Sequence, residues 1–156
     1  MMRLFLMLSL LQIGCVIHTS LSRDQVMREI APRFPLEARR SLFYARLQNP
    51  DVRFSGDKVE IHMEAEAGAP GFMKKGQVLV VGAVDYRGGG IYLKDAAVKE
   101  LDLGLELPPE WKPHVEQAVE TALLAALAEK PLYQLHDARV KKVWVERDKL
   151  MLEIRL

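Results

Sequence analysis

A second cysteine is missing from this chain of 156 residues, whose one thiol is Cys15. A disulfide within the chain is therefore excluded, and the fold must be stable through the packing of its core. Net charge is also almost absent, because 22 basic residues stand against 21 acidic ones. Without residues 1–14, which contribute only Arg3, both numbers are 21. A surface that binds nucleic acid usually carries a basic excess, so we expect no nucleic acid among the partners.

Basic residues do occur in pairs, but the pairs are scattered along the sequence. They are Arg39-Arg40, Lys74-Lys75 and Lys141-Lys142. Aromatic residues, which make up only 7% of the chain, do not alternate with them. We therefore interpret each pair as solvated surface.

Long apolar runs are absent as well, with one exception near the start of the sequence. The stretch 4–11 is almost entirely apolar, but it is too short to cross a bilayer, for which about 20 residues are needed. Arg3 precedes this stretch, and Gly14 stands directly before Cys15. A basic residue, a short apolar run and a small residue before a cysteine are typical of a bacterial lipoprotein signal.

We therefore predict a signal peptide at 1–14 and a single domain at 15–156. Cys15 is then the lipid anchor that attaches the domain to a membrane of the cell envelope. Because Val16 rather than an aspartate follows the cysteine, analogy with enteric bacteria favours the periplasmic face of the outer membrane. The alternative is that 4–17 form a buried element of the fold, with Cys15 as a small core residue.

Motifs for catalysis and metal binding are missing too. The four histidines lie far apart, without an i,i+4 pair, whereas a zinc site needs three or four converging ligands. They are His18, His62, His114 and His136. No Gly-x-Ser-x-Gly motif for a nucleophile is present. We expect neither an enzyme nor a metal or cofactor site.

What the sequence does contain is strong apolar periodicity. Residues 58–67 alternate strictly between apolar and polar, as in a strand with one wet face. Further strands are predicted at 16–21, 42–47, 77–86, 91–107, 139–145 and 150–156, with a turn at 49–51 and a loop at 68–76. Two apolar registers of different parity meet within 91–107, so we expect a β-bulge near 95–98.

Two helices are predicted among these strands. Ser22 and Gln25 form a capping box for a helix at Arg23–Ile30. A second helix at 115–129 carries a very broad apolar stripe, which is typical of a helix covered by other elements. The order predicts an α+β fold: a strongly curved antiparallel sheet wrapped around one long helix in the C-terminal half, plus a short N-terminal helix.

Three segments carry a resemblance to a known family. They are 89–95 (Gly-Gly-Ile-Tyr-Leu-Lys-Asp), Pro109-Glu110 at a helix start, and 130–135 (Lys-Pro-Leu-Tyr-Gln-Leu). In these segments the chain resembles the YceB-like lipoproteins of Gram-negative bacteria. The resemblance implies a fold similar to tubular lipid-binding domains, in which acyl chains lie between helix and sheet. It implies no activity and no particular binding residues.

The leucine-rich stretch 101–107 and the broad stripe of the second helix favour an apolar ligand between them. The predicted wall consists of Leu103, Leu105, Val119, Leu123 and Leu127. Three aromatic residues are candidates either for the mouth of such a groove or for ordinary packing: Tyr92, Tyr133 and Trp144. The alternative function is a solid-core protein that works through its surface in an envelope complex with an unknown protein partner.

Overall fold

The computed structural model of the chain describes residues 14–103, 107–137 and 139–156. Within these ranges it contains nine strands and two α-helices. The strands are β1 (Val16–Leu21), β2 (Leu36–Arg40), β3 (Phe43–Ser55), β4 (Lys58–Ala69), β5 (Phe72–Arg87), β6 (Gly90–Asp102), β7 (Tyr133–Gln134), β8 (Val140–Glu146) and β9 (Lys149–Arg155). The helices are α1 (Arg23–Ile30) and α2 (Lys112–Leu123), and α2 continues into a π-helical turn at Leu124–Ala128. No helix in the described ranges has the length and apolar character needed to cross a membrane.

The strands form two open antiparallel sheets. Strands β2 to β7 make up the larger sheet in sequence order, and β1, β9 and β8 make up the smaller one. The predicted α+β class and antiparallel pairing are confirmed. The prediction of one sheet is wrong, because β1 pairs with β9 and not with the larger sheet. Neither sheet closes on itself in the described part of the chain, and the strong curvature around α2 stays a prediction.

The larger sheet has one apolar face, which the rest of the fold covers. Strand β4 lies between β3 and β5. Its side chains Val59, Ile61 and Met63 are buried on one face, while Glu64 on the other face is exposed. Ile61 lies between Val52 and Val80 of the neighbouring strands, so apolar positions meet across the sheet. Helix α1 packs on β3, α2 packs on β2 and β3, and β8 packs on β5. All of these elements contribute to one core.

Helix α1 begins as its sequence predicts. The Ser22 hydroxyl accepts a hydrogen bond from the Gln25 amide at 3.2 Å, and the Gln25 side chain accepts one from the Ser22 amide at 2.8 Å. Buried Val26 and Ile30 face the core. On the strand below, the Val52 carbonyl accepts a hydrogen bond from Arg23 Nε at 2.7 Å, which fixes the helix against β3.

Two predicted irregular segments are strands instead. The turn predicted at 49–51 is a bulge inside β3, where Asn49 adopts a left-handed φ of 53° and the register shifts. The predicted loop at 68–76 is mostly strand, with the end of β4, a two-residue turn at 70–71 and the start of β5. Its glycines suggested a loop, but a Cβ on Gly76 would lie 1.6 Å from the Asp102 carbonyl oxygen. Gly76 is therefore required by the close approach of two backbones and not by a turn.

The bulge predicted near 95–98 is confirmed. Strand β6 has one residue more than β5 between the pairs Lys94–Ala83 and Ala97–Val81. Asp95 lies in this interval with a φ of 51°. A second extra residue, Lys99, follows between Val98 and Glu100. Such bulges bend a strand and increase its twist, so β6 changes direction where it passes α2.

Candidate functional site

An apolar hollow lined by two of the predicted wall residues, Leu123 and Leu127, lies between α2 with its π-helical turn and β6. It has a volume of about 320 Å³ and opens to solvent. The β-strand side is formed by Val80, Ala96, Ala97 and Val98. The helical side is formed by Glu120, Leu123, Leu124, Leu127 and Ala128. Apart from Glu120, each of these side chains is apolar.

A second hollow of about 270 Å³ adjoins the first towards the start of α2. The two share Val98 and Glu120, so they lie side by side, and we call them together the α2–β6 groove. The second hollow is lined in addition by Lys99, Leu101, Lys112, Glu116 and Val119. The groove therefore has an apolar half near the end of the helix and a charged half near its start.

Local backbone irregularities explain why the groove is open. The bulge at Asp95 places exposed Ala96 at the apolar half, and the extra residue Lys99 lies at the charged half. On the opposite side, the π-helical turn Leu124–Ala128 carries three residues of the apolar half. π-Helical turns are rare and frequently occur at functional sites. Helix and strand thus both depart from regular geometry at the same place.

The charges of the groove lie at the end where α2 begins. Lys112 Nζ is 4.0 Å from Glu116 Oε1, one helical turn away. Lys99 is exposed on the facing strand, and Glu120 is exposed where the two halves meet. Both signs of charge are therefore available to a polar group that enters this half.

Three of the five predicted wall residues line the groove. Val119 lies in the charged half, and Leu123 and Leu127 lie in the apolar half. Their side chains are almost completely buried, so they form the floor. Leu103 does not line the groove and belongs to the core, and Leu105 lies outside the described residues.

The sequence reasoning missed the residue at the mouth. Leu124 lines the apolar half and is 56% exposed, although it lies in the middle of an apolar run. Its exposure comes from its place on the outer edge of the broad stripe. The breadth of the apolar stripe was the sequence signal for Leu124. A broad stripe, however, does not distinguish a buried position from an exposed one.

None of the three candidate aromatic residues lines the groove. The guanidinium of Arg87 lies over the Tyr92 ring, with Arg87 Cζ 4.2 Å from the ring centroid. Trp144 lies on the smaller sheet, where its ring meets that of His18 edge to face at 5.4 Å. Tyr133 packs against the core. The three residues therefore do not form the mouth of the groove, which leaves ordinary packing, the other alternative, as their interpretation.

Cys15 is exposed and directly precedes β1. Its backbone carbonyl accepts a hydrogen bond from the Leu156 amide at 3.0 Å. Three apolar residues beside it are exposed: Val16, Ile17 and Leu156. The alternative that Cys15 is a core residue is therefore excluded. The predicted signal peptide at 1–14 lies, except for Gly14, outside the described residues.

Among the described residues, no group of three or more histidine, cysteine or acidic side chains is arranged to hold a metal ion. The most strongly shifted carboxylate is Asp137, whose pKa is lowered to about 2 by hydrogen bonds from the side chain and backbone of Arg139. This pair lies in the exposed connection between β7 and β8. It is a surface ion pair and does not take part in the groove.

No protein-family model matches this chain, and no curated protein matches it either. The resemblance to YceB-like lipoproteins therefore stays a prediction that follows from the three sequence segments.

Proposed function

We propose that this protein is a lipid-anchored protein of the bacterial cell envelope that binds a lipid or acyl chain in the α2–β6 groove. The observation that carries the proposal is the apolar half of that groove. It combines a buried floor of Leu123 and Leu127 with an exposed leucine, Leu124, at its mouth.

Size and lining both favour a single apolar chain. The volume of about 320 Å³ lies at the lower end of the range of ligand pockets, about 300–1,000 Å³. Each methylene group that leaves water for such a site contributes about 0.8 kcal/mol. The adjoining charged half, with Lys99, Lys112 and two glutamates, would contact the polar head of the same molecule.

We also propose that the larger sheet wraps around α2. The two bulges of β6 support it, because they bend the strand beside the groove. In a tubular lipid-binding domain the acyl chain lies between helix and sheet, and the α2–β6 groove occupies that position.

The proposed anchor is Cys15. Support comes from its exposed position and from the exposed apolar side chains of Val16, Ile17 and Leu156 beside it. Such side chains would lie against the bilayer to which the cysteine is attached. Because one acyl chain gives only marginal membrane binding, stable attachment requires more than one chain on this cysteine.

Titration with a fluorescent fatty acid tests the groove. We expect saturable binding to the wild-type protein and competition by unlabelled fatty acid. Ala96→Trp should abolish binding, because the indole would fill the apolar half from an exposed position of β6. Leu124→Gln should weaken binding without touching the buried floor. Leu156→Gln is the matched control, since Leu156 is 60% exposed and lies elsewhere.

The alternative function, a solid-core protein that works through an envelope complex, predicts a different result. Wild-type protein would then bind no fatty acid, and envelope crosslinking would find one stoichiometric protein partner. A folded wild-type protein without saturable binding would therefore contradict the proposed lipid site.

Labelling with radioactive palmitate tests the anchor separately. We expect label in the wild-type protein and none in Cys15→Ser. Equal label in both would contradict acylation at Cys15 and would leave the groove proposal unaffected.

A further inference from the structure

Four rings cluster at the end of the larger sheet where α2 begins. The Trp111 ring meets that of Phe43 edge to face at 5.8 Å and that of Phe72 at 5.2 Å. Phe43 in turn stacks on His114, with centroids 4.9 Å apart. Together with Leu42, which precedes Phe43, we call these residues the aromatic tip.

Antiparallel pairing brings the parts of this tip together. Tyr44 pairs with Gly68, and Gly68 pairs with Met73, so the β2–β3 and β4–β5 connections lie at the same end of the sheet. Exposed apolar side chains lie at both connections. Leu42 between β2 and β3 is 70% exposed, and Met73 at the start of β5 is 37% exposed.

Basic residues surround this apolar end. Arg40 pairs with Phe43 across the strands, and Lys74 Nζ lies 4.8 Å from the centroid of the Phe72 ring. Arg39 lies over the Tyr44 ring at 5.4 Å. Two of the three basic pairs that are scattered in sequence thus lie towards the same end of the larger sheet, on β2 and on β5.

The acidic residues near the tip do not cancel this charge. Glu116 is paired with Lys112, and Glu66 lies opposite Lys75 in the sheet register. Glu110 is exposed next to Trp111. Glu37, which contacts Tyr44, is paired with Arg46 at 3.9 Å. The ion pairs of the described residues do not include Arg39, Arg40 or Lys74. The tip therefore combines exposed Leu42 and Met73 and half-buried aromatic rings with basic side chains outside these ion pairs.

We propose that the aromatic tip is a contact surface for a phospholipid bilayer that contains anionic lipids. Leu42 and the indole of Trp111 enter the boundary between headgroups and acyl chains, where tryptophan is favoured because one part of its ring is apolar and the other polar. Arg40 and Lys74 lie at the depth of the phosphates and bind them through charge. The charged half of the α2–β6 groove begins beside this surface, because Lys112 follows Trp111 and lines the groove.

The two tryptophans of the chain provide an internal test, because Trp111 lies in the tip and Trp144 lies on the smaller sheet. Trp144→Phe leaves Trp111 as the only indole, and Trp111→Phe leaves Trp144. Each full-length variant is mixed with vesicles of brominated phosphatidylcholine, with or without 30% phosphatidylglycerol as the chosen composition. Bromine quenches only an indole that reaches the acyl region.

We expect strong quenching of Trp111 in the anionic vesicles, weak quenching in the neutral ones, and little quenching of Trp144 in either. Arg40→Gln with Lys74→Gln should weaken the binding that quenches Trp111 by about tenfold or more. Lys141→Gln with Lys142→Gln removes the same amount of charge from β8 and should leave this vesicle binding unchanged. Circular dichroism of every variant establishes that it is folded.

The proposal would be overturned if anionic vesicles quenched Trp111 no more than Trp144. It would also be overturned if the two double variants weakened vesicle binding equally. These outcomes are independent of the groove, and every variant also carries Cys15→Ser, so that no acyl chain brings β1 and the neighbouring Trp144 to the bilayer. An acylated Cys15 would hold both indoles near the bilayer but would not by itself insert Trp111.

Discussion

The Phe43 ring of β3 stacks on the His114 imidazole in the first turn of α2, with centroids 4.9 Å apart and planes within 3° of parallel. This contact matters because α2 has no side-chain cap: its N-cap residue, Trp111, makes no capping hydrogen bond. The start of the helix is instead held by ring packing against β3 and β5. The position of the groove along α2 depends on this packing.

Replacing Phe43 should therefore loosen the start of α2. We expect Phe43→Leu to lower the free energy of unfolding by about 1–2 kcal/mol, because two ring contacts are lost. Amide hydrogen exchange in the first turn of α2 should become faster, while exchange in α1 should stay unchanged. Tyr44→Leu is the matched control, since Tyr44 lies next in the strand and contacts Arg39 instead. Equal acceleration in the two variants would contradict this account of the helix start.

Neighbouring leucines at the groove should differ sharply in their contribution to stability. Leu127 is 2% exposed and Leu124 is 56% exposed, although both belong to the same π-helical turn. We expect Leu127→Ala to cost about 2–5 kcal/mol of unfolding free energy, because it leaves a cavity. Leu124→Ala should cost no more than about 0.5 kcal/mol. Urea unfolding with an unchanged m-value measures both, and similar costs would show that Leu124 is not at an open mouth.

Asp137 should have a pKa well below the ordinary value of an aspartate. Arg139 donates to its two carboxylate oxygens from Nε at 3.0 Å and from Nη2 at 2.8 Å, and these bonds lower the pKa to about 2. A lowered pKa in the folded state means that the pair stabilises the fold fully above pH 3.8, the ordinary value. This stabilisation is lost as the pH falls through about 2.

The measurement is an NMR titration of the Asp137 carboxyl carbon. In Arg139→Gln the midpoint should move up towards 3.8, while Arg147→Gln, which removes a guanidinium at the opposite end of β8, should leave it in place. A wild-type midpoint near the ordinary value would contradict the geometry of this pair.

Signals that are local in sequence predicted the fold well. Alternation over 58–67 identified β4, and the pair Ser22 and Gln25 identified the start of α1. Each depends on residues within a few positions of one another. Strand β2 was missed, because its sequence contains three charged residues out of five and its pairing is provided by β3.

The groove and the tip depend on contacts that are distant in sequence. Periodicity placed Val119, Leu123 and Leu127 on one helix face, and the structure confirms that they share the groove. The space itself arises where the bulge at Asp95 meets the π-helical turn. The change of apolar register predicted the bulge, but no sequence pattern predicted the π-helical turn on the other side of the groove. Likewise, Arg40 and Lys74 come to the same end of the larger sheet only because four strands pair in order.

Native mass spectrometry of gently extracted protein tests the lipid site most directly. We predict a lipid-mass adduct on the wild-type protein and on Leu156→Gln, with much lower occupancy on Leu124→Gln and none on Ala96→Trp. A folded wild-type protein without an adduct, or an adduct that is retained equally by Ala96→Trp, would contradict the conclusion that the α2–β6 groove binds a lipid.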